Sequence, residues 1–548
     1  MAHDENENNR ITAIKLLNNL AVNFGKELCE NFVAFELMCM ADDDNPKVRK
    51  NTVQNFVMIC ETVSPDFFNN KLLSIYEKLA KDKHWQVREE AVKIISKIST
   101  ICLEETRETL LVNLYKEFCS DGSQFVRRKA QMQIGQLIYS LRRSKIDPFL
   151  IQLYISSVPK KDTDEDLVYH CAYTFPAVLY SLGKDIWPSI KDVYKAMVAK
   201  DFTGIKQTLA ASIHEVAKIV GPEIAMKDLD PILKTFLDPI PILKNPLDVN
   251  KKSTLKHCFA HLHEFLEVLE ESQRVPYLDL VANIIESFER NWRLRQIFAL
   301  NAESYSKLYN AQLVHEKILP IVFNLLEDNV MEVRTKMSGP IYQIAMMIKS
   351  EPKYFEEMMI KIDKYCSSRS FRDRQTFLHI CSGFMCNESM FEQYLLTGFL
   401  ALQKDKVPNV RVTLAKVLEE HMKCSGLLAK NTYIVKVLEM LQSDSAAEVI
   451  NYVTTAILEC DKMREFEESG VTSGEEAKDS ALKEEEQAKL KEMEDARMKE
   501  IEKARAEAEK GVDITGVDEE EIEELNRRKA EQYFSKGVIV DEMVNNPS

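Results

Sequence analysis

The chain is short of residues that interrupt helices and lacks the signatures of a catalyst. Only 15 glycines and 17 prolines occur in 548 residues, too few for the turns of an all-β or α/β chain of this length. The 12 cysteines stand singly, Cys60, Cys171, Cys258 and Cys424 among them, and never as Cys-x-x-Cys. Neither a disulfide framework nor a zinc site is therefore expected. No apolar run approaches the roughly 18 residues of a membrane span. The opening Met-Ala-His-Asp-Glu-Asn-Glu-Asn-Asn-Arg is polar and acidic, unlike a secretory or mitochondrial signal. We expect no membrane contact and a cytoplasmic chain, with the nucleus as a second compartment. No Gly-rich phosphate loop and no Gly-x-Ser-x-Gly elbow appears, so neither catalysis nor a cofactor is expected.

Metal and nucleic-acid readings fare little better. His257 and His261 lie one helical turn apart, with Cys258 and His263 nearby, but the glutamate of a His-Glu-x-x-His helix is missing. His214-Glu215 and His315-Glu316 lack the second histidine. The net charge is −15, and residues 462–548 carry 15 basic and 26 acidic side chains, so −11 belongs to the tail and −4 to everything before it. No basic face dominates, and no nucleic-acid partner is expected.

What the chain does contain is a repeat. Asp43 to Arg49, Asp82 to Arg88, Asp121 to Arg127, Asp328 to Arg334 and Asp405 to Arg411 share an aspartate six residues before an arginine that follows a valine. Arg49, Arg88 and Arg127 are 39 apart, as are Arg295 and Arg334. Tyr169, Gln207, Lys252, Arg374 and Ile450 hold the arginine's place in weaker copies, which makes 11 units. A period of roughly 40 with two helices per unit marks HEAT or armadillo arrays, not the helical repeats of roughly 33 to 34. The expected fold is an all-α HEAT-repeat solenoid, a superhelix of about 11 helix pairs, with a charged helix and a partly disordered acidic tail at its C-terminal end.

Residues 10–24 form an amphipathic helix that stops at Gly25 and caps the array. HEAT repeats follow over 26–235. After each arginine the apolar residues recur on one face: Val53, Phe56, Val57 and Cys60, then Ala91, Val92, Ile95 and Ile98, then Ala130, Ile134, Leu137 and Ile138. One unit cannot bury such a face alone, whereas stacked neighbours can. Pro176 is expected to kink its helix. Three prolines between Phe236 and Ser253 indicate an extended loop over 236–253, and repeats resume over 254–461. Residues 462–511 read as a solvated charged helix with i,i+4 pairs such as Glu485/Lys489. Residues 512–548 read as a flexible acidic tail, and the apolar island Tyr533 to Val540 is a candidate docking segment.

The aspartate before each second helix can accept N–H bonds at the helix start, and the arginine one turn in can reach the aspartate of the adjacent unit. This assigns Asp43, Arg49, Asp82, Arg88, Asp121, Arg127, Asp328, Arg334, Asp405 and Arg411 to an inter-repeat ladder. Trp85 and Trp292 sit in turns, where a large ring either packs between repeats or anchors a partner.

Four strings carry a more specific likeness: Cys-Ala-Tyr-Thr-Phe-Pro-Ala-Val at 171–178, Thr-Leu-Ala-Ala-Ser-Ile-His-Glu-Val-Ala at 208–217, Arg-Asn-Trp-Arg-Leu-Arg at 290–295, and Val-Pro-Asn-Val-Arg-Val-Thr-Leu-Ala-Lys at 407–416. Together they resemble the protein phosphatase 4 regulatory subunit 1 family, itself related to the scaffold A subunit of type 2A phosphatases. The resemblance runs over about 45–460. It implies a non-catalytic subunit that binds the catalytic subunit of a type 2A-like Ser/Thr phosphatase and directs it to phosphoprotein substrates. The Gly-Asp-x-His and Gly-Asn-His-Glu motifs of the phosphatases themselves are absent. By likeness to the scaffold relatives, the turns of the C-terminal repeats would hold the catalytic subunit, which points to Trp292, Arg293, Val330, Met331, Phe371, Arg372, Val407, Pro408 and Asn409. Family members carry a long insertion between array halves that this chain lacks, and residues after 462 have no evident counterpart. The rival reading is a transport receptor of the importin kind or a general HEAT-repeat scaffold, the former demanding a Ran-type GTPase and basic cargo.

Overall fold

The second helix of every unit begins at the turn that the repeat marks. In the computed structural model, which describes residues 3–158, 164–200, 202–245, 247–288, 291–424 and 431–468, these helices are Pro46–Thr62, Trp85–Ile101, Gln124–Ser140, Glu165–Leu182, Thr203–Val220, Val249–Ala260, Trp292–Lys307, Met331–Ser338, Phe371–Phe384, Pro408–Cys424 and Ala447–Glu468. Among the described residues there is no strand, and no helix is long and apolar enough to cross a membrane. The charged helix and tail expected over 462–548 lie almost wholly outside the described residues, as does the Tyr533 to Val540 island.

Local chemistry explains where these helices start. Asn45 accepts the Lys47 N–H and Pro46 takes the first helical position, where a missing N–H costs nothing. Asp164 caps the helix after it by accepting the Leu167 N–H. Pro176 lies inside Glu165–Leu182, which continues through it. Gly25 has φ +76° and breaks Glu7–Leu28 near its end, a conformation that side chains other than glycine rarely adopt.

The region 236–253 differs from the extended loop its prolines suggest. Asp230–Leu237 is helical, Ile240–Lys244 forms a further short helix with proline in its first turn, and the next helix begins at Val249 with Asp248 accepting the Lys251 N–H. Proline is costly in a helix interior but suits its first turn.

The compact unit spans Met1–Cys460. Its core is one continuous file of buried side chains from Ala21 to Cys460, with a small satellite of Ala13, Ile14, Met40 and Val48 under the first helix. Among the described residues five first helices contain a π turn, at Cys29–Val33, Phe68–Leu72, Arg107–Leu111, Ala225–Leu229 and Val314–Ile318. Within repeats a tyrosine pins the pair together: the Tyr76, Tyr115 and Tyr154 hydroxyls donate to the carbonyls of Ala91, Ala130 and Cys171 at 2.8, 2.6 and 2.8 Å. These rings are fully buried, so each hydroxyl must find an acceptor inside.

Candidate functional site: the ridge of inter-repeat turns

Each of the five turns with the full signature is built by one aspartate and two arginines. Asp82 Oδ1 accepts the His84 N–H at 2.8 Å, which holds the turn. Its two oxygens also receive Arg49 Nε at 2.6 Å and Nη2 at 3.0 Å from the preceding unit. Arg49 Nη1 donates back to the Asp43 carbonyl of its own turn at 2.6 Å. The guanidinium therefore spans two units and the carboxylate is satisfied on both oxygens, the bidentate arrangement that arginine makes and lysine cannot.

The same geometry recurs for Arg10–Asp43, Arg88–Asp121, Arg295–Asp328, Arg374–Asp405 and Arg411–Asp444, with Nε to Oδ2 distances of 2.7, 2.7, 2.5, 2.5 and 2.6 Å. Sequence reasoning passes over the first of these. Asp4 precedes Arg10 by six and Arg10 precedes Arg49 by 39, so the helix expected only to cap the array is a rung of the ladder.

Arg127 and Arg334 depart from the ladder assignment. Both hold their own turns, donating to the Asp121 and Asp328 carbonyls, but neither forms an ion pair with an acid of the next unit among the described residues. Arg128, next to Arg127 in repeat 3, takes over and engages Asp164 and Asp166 of repeat 4. The next unit lacks the aspartate: six residues before the arginine's place the sequence has Thr163 ahead of Tyr169 and Ser368 ahead of Arg374.

With aspartate and arginine occupied, the residues between them divide between the core and the surface. Arg293 lies over the Trp292 ring at 4.8 Å, while Trp292 packs partly buried against the core. Val330 and Val407 are likewise half-buried against it. Met331 is 58% exposed and Phe371 40% exposed, and Arg293, Arg372, Pro408 and Asn409 are exposed. Successive turns are tied by other side chains: Gln296 reaches Glu332 at 3.2 Å, and Gln375 donates to the Asn409 carbonyl at 3.2 Å. In the N-terminal repeats Trp85, the other turn tryptophan, packs between repeats: its ring stacks on that of Phe125 with centroids 4.8 Å apart.

A second cluster joins repeats 5 and 6. His214, His261 and Glu264 bring their polar atoms within 4.8 Å of one another, and the two imidazoles stack at 4.5 Å with planes 9° apart. Lone pairs of stacked rings lie in parallel planes, so they do not converge on an ion held about 2.0–2.1 Å from each nitrogen. The cluster is instead an electrostatic contact, with Lys218 Nζ 2.5 Å from Glu264. Burial opposes the Glu264 charge, but Lys218 and His261 hold its pKa down at about 2, and burial pushes His214 below its ordinary value. Both groups bind more protons unfolded than folded, so their stabilisation is present above the unfolded values and is lost as pH falls, first through the His214 window below 6.5. Between pH 7 and pH 5.5, hydrogen exchange in Thr203–Val220 and Leu262–Val268 should therefore accelerate relative to that in Trp85–Ile101. The loss is at most about 1.4 kcal/mol per pH unit for one proton, and His214→Phe should remove most of the difference.

Residues 65–141 match a PPP2R1A-like HEAT repeat, and residues 171–284 match the protein phosphatase 4 regulatory subunit 1 middle domain. Serine/threonine-protein phosphatase 4 regulatory subunit 1 of Rattus norvegicus is 29% identical over 302 residues, which cover 54% of this chain and 30% of the relative. Regulatory subunit 4 of the same phosphatase from Mus musculus is 19% identical over 477 residues, covering 82% and 51%. Crystal structures of Kap121p and of importin beta superpose with TM-scores of 0.51 and 0.50 at 13% and 10% identity. They cover 84% and 82% of this chain and 52% and 62% of their own. At that identity they share the helical-solenoid fold and nothing further. The HEAT array and the matched middle domain carry the resemblance that the strings at 171–178 and 208–217 imply: this chain is similar to the protein phosphatase 4 regulatory subunit 1 family.

Proposed function

We propose that this chain is a non-catalytic regulatory scaffold that binds the catalytic subunit of a type 2A-like Ser/Thr phosphatase, phosphatase 4 foremost, and directs its choice of phosphoprotein substrates. The observation that carries the reading is the match of residues 171–284 to the regulatory subunit 1 middle domain, supported by two groups of relatives that are both named regulatory subunits of phosphatase 4. The ridge of turns suits the task. Most of its aspartates and arginines are paired with one another, while Met331, Phe371, Pro408 and Asn409 stand exposed beside them. Cytoplasm and nucleus remain the proposed compartments.

Affinity capture with the purified chain tests this, and failure to retain a phosphatase 4 catalytic subunit would sink it. Within that assay the turn of repeat 10 separates structure from contact. Pro408→Ala with Asn409→Ala should weaken binding roughly tenfold, or about 1.4 kcal/mol, and leave the thermal midpoint almost unchanged. Arg411→Ala should lower the midpoint, because it strands the Asp444 carboxylate that it now meets at 2.6 and 2.9 Å. Equal thermal losses in both variants would contradict the division.

A further inference from the structure

The junction of repeats 8 and 9 is a rung whose acid has been replaced. Arg374 Nη1 donates to the Ser368 carbonyl at 2.8 Å, the bond that Arg411 makes to the Asp405 carbonyl. The Ser368 hydroxyl accepts the Ser370 N–H at 3.2 Å, as Asp405 accepts that of Val407. By both criteria Ser368 occupies the aspartate's position in its turn. It cannot supply the carboxylate, and its hydroxyl proton is already given to Asp373 Oδ2 at 2.7 Å.

The arginine that would meet this acid is Arg334. It is only 6% exposed. Its Nη1 holds the Asp328 carbonyl at 2.6 Å, and its Nε and Nη2 edge, which in six other rungs grips a carboxylate, meets no acceptor among the described residues. No Arg334 nitrogen is both sealed from solvent and unpaired, so that edge remains reachable. Burial and the neighbouring Arg372 both disfavour its charge, and Asp328 and Asp373 offset this from a distance. Asp328 is itself spent on Arg295, and Asp373 balances one of the two guanidiniums, leaving about one unit of positive charge. Met331 and Phe371, both exposed, stand at the starts of the two helices that flank the junction.

We infer that Arg334 receives a carboxylate supplied in trans, from an aspartate or glutamate of the polypeptide bound along the ridge, with apolar contact to Met331 and Phe371 beside it. The partner would complete the rung that this chain leaves open. As to which polypeptide this is, the inference rests on the scaffold reading above.

Ser368→Asp is the decisive variant, because it restores the residue that folds into the same turn in other repeats, whereas Ser368→Asn keeps the acceptor without the charge. Binding of purified phosphatase 4 catalytic subunit to the full chain should weaken at least tenfold in Ser368→Asp and stay within twofold of wild type in Ser368→Asn. Undiminished binding by Ser368→Asp would overturn the inference while leaving the scaffold reading intact. If the wild-type chain does not bind the catalytic subunit, the scaffold reading fails, and thermal melts in acetate against chloride at constant ionic strength decide the matter. Protection of wild type but not of Ser368→Asp by acetate supports a carboxylate site at Arg334, and equal responses overturn it.

Discussion

Arg49→Ala should cost the first two repeats about 3–5 kcal/mol, the penalty for removing one partner of a buried ion pair. Arg49 and Asp82 are each only 8% exposed at the side chain, so the carboxylate left behind cannot recover its hydration. Burial works against the charge on Asp82, and Arg49 together with the His84 N–H holds its pKa below the ordinary value. Remove the guanidinium and burial wins. Arg49 also loses its bonds to the Asp43 and Asp44 carbonyls, so both turns loosen. In a repeat array the damage concentrates at one interface, and hydrogen exchange in Pro46–Thr62 and Trp85–Ile101 should report it more clearly than a global melt. Adding Asp82→Asn should recover part of the loss, since asparagine keeps an acceptor for His84 without a stranded charge. A double variant no more stable than Arg49→Ala would show that lost turn bonds dominate.

A comparable effect is expected where two second helices touch. Gly135, buried in Gln124–Ser140, lies against Glu165–Leu182 so closely that a methyl group added there would sit 2.0 Å from Thr174 Oγ1 and 2.5 Å from its Cβ. Thr174 cannot yield easily, for its hydroxyl is bonded to the His170 carbonyl at 2.8 Å. Gly135→Ala should destabilise this junction by about 1–3 kcal/mol through overpacking, although alanine favours a helix by roughly 1 kcal/mol over glycine. Gly135→Leu should prevent repeats 3 and 4 from stacking. Combining Gly135→Ala with Thr174→Gly moves the small residue to the other helix and should return stability close to wild type. Denaturant midpoints of the three variants check this, and a double variant worse than either single change would mean that the helix spacing is set elsewhere.

The repeat is legible in the sequence because everything that makes a turn is local: an aspartate, a helix start and an arginine six residues on. What an arginine reaches is not local. Arg88 and Arg127 sit in the same Asp…Val-Arg frame, yet one meets Asp121 and the other forms no ion pair with an acid of the next unit among the described residues. The difference lies in whether the next unit supplies an aspartate, which the arginine's own turn does not reveal. The tyrosine pins escape notice for a related reason, since Tyr76, Tyr115 and Tyr154 are themselves 39 apart but a buried tyrosine resembles any core aromatic until its acceptor is known. On the ridge, residue type alone does not separate Val407 from Pro408. The valine leans on the core of the stack and the proline does not, a distinction made by neighbours distant in sequence. Around 236–253 the prolines are ambiguous by nature, because the same ring ends one helix and begins another.

The ladder also makes the N-terminal units interchangeable cassettes. Arg10 to Asp43, Arg49 to Asp82 and Arg88 to Asp121 each span 33 residues, and the π turns at Cys29, Phe68 and Arg107 recur with the same 39-residue step. Excising residues 50–88 would bring Arg49 to the distance from Asp121 that it now keeps from Asp82, so the array would close over the gap in register. Duplicating the same block would lengthen it by one unit without a misfit. A 39-residue step is thus the increment that keeps each arginine 33 residues from its aspartate in these repeats.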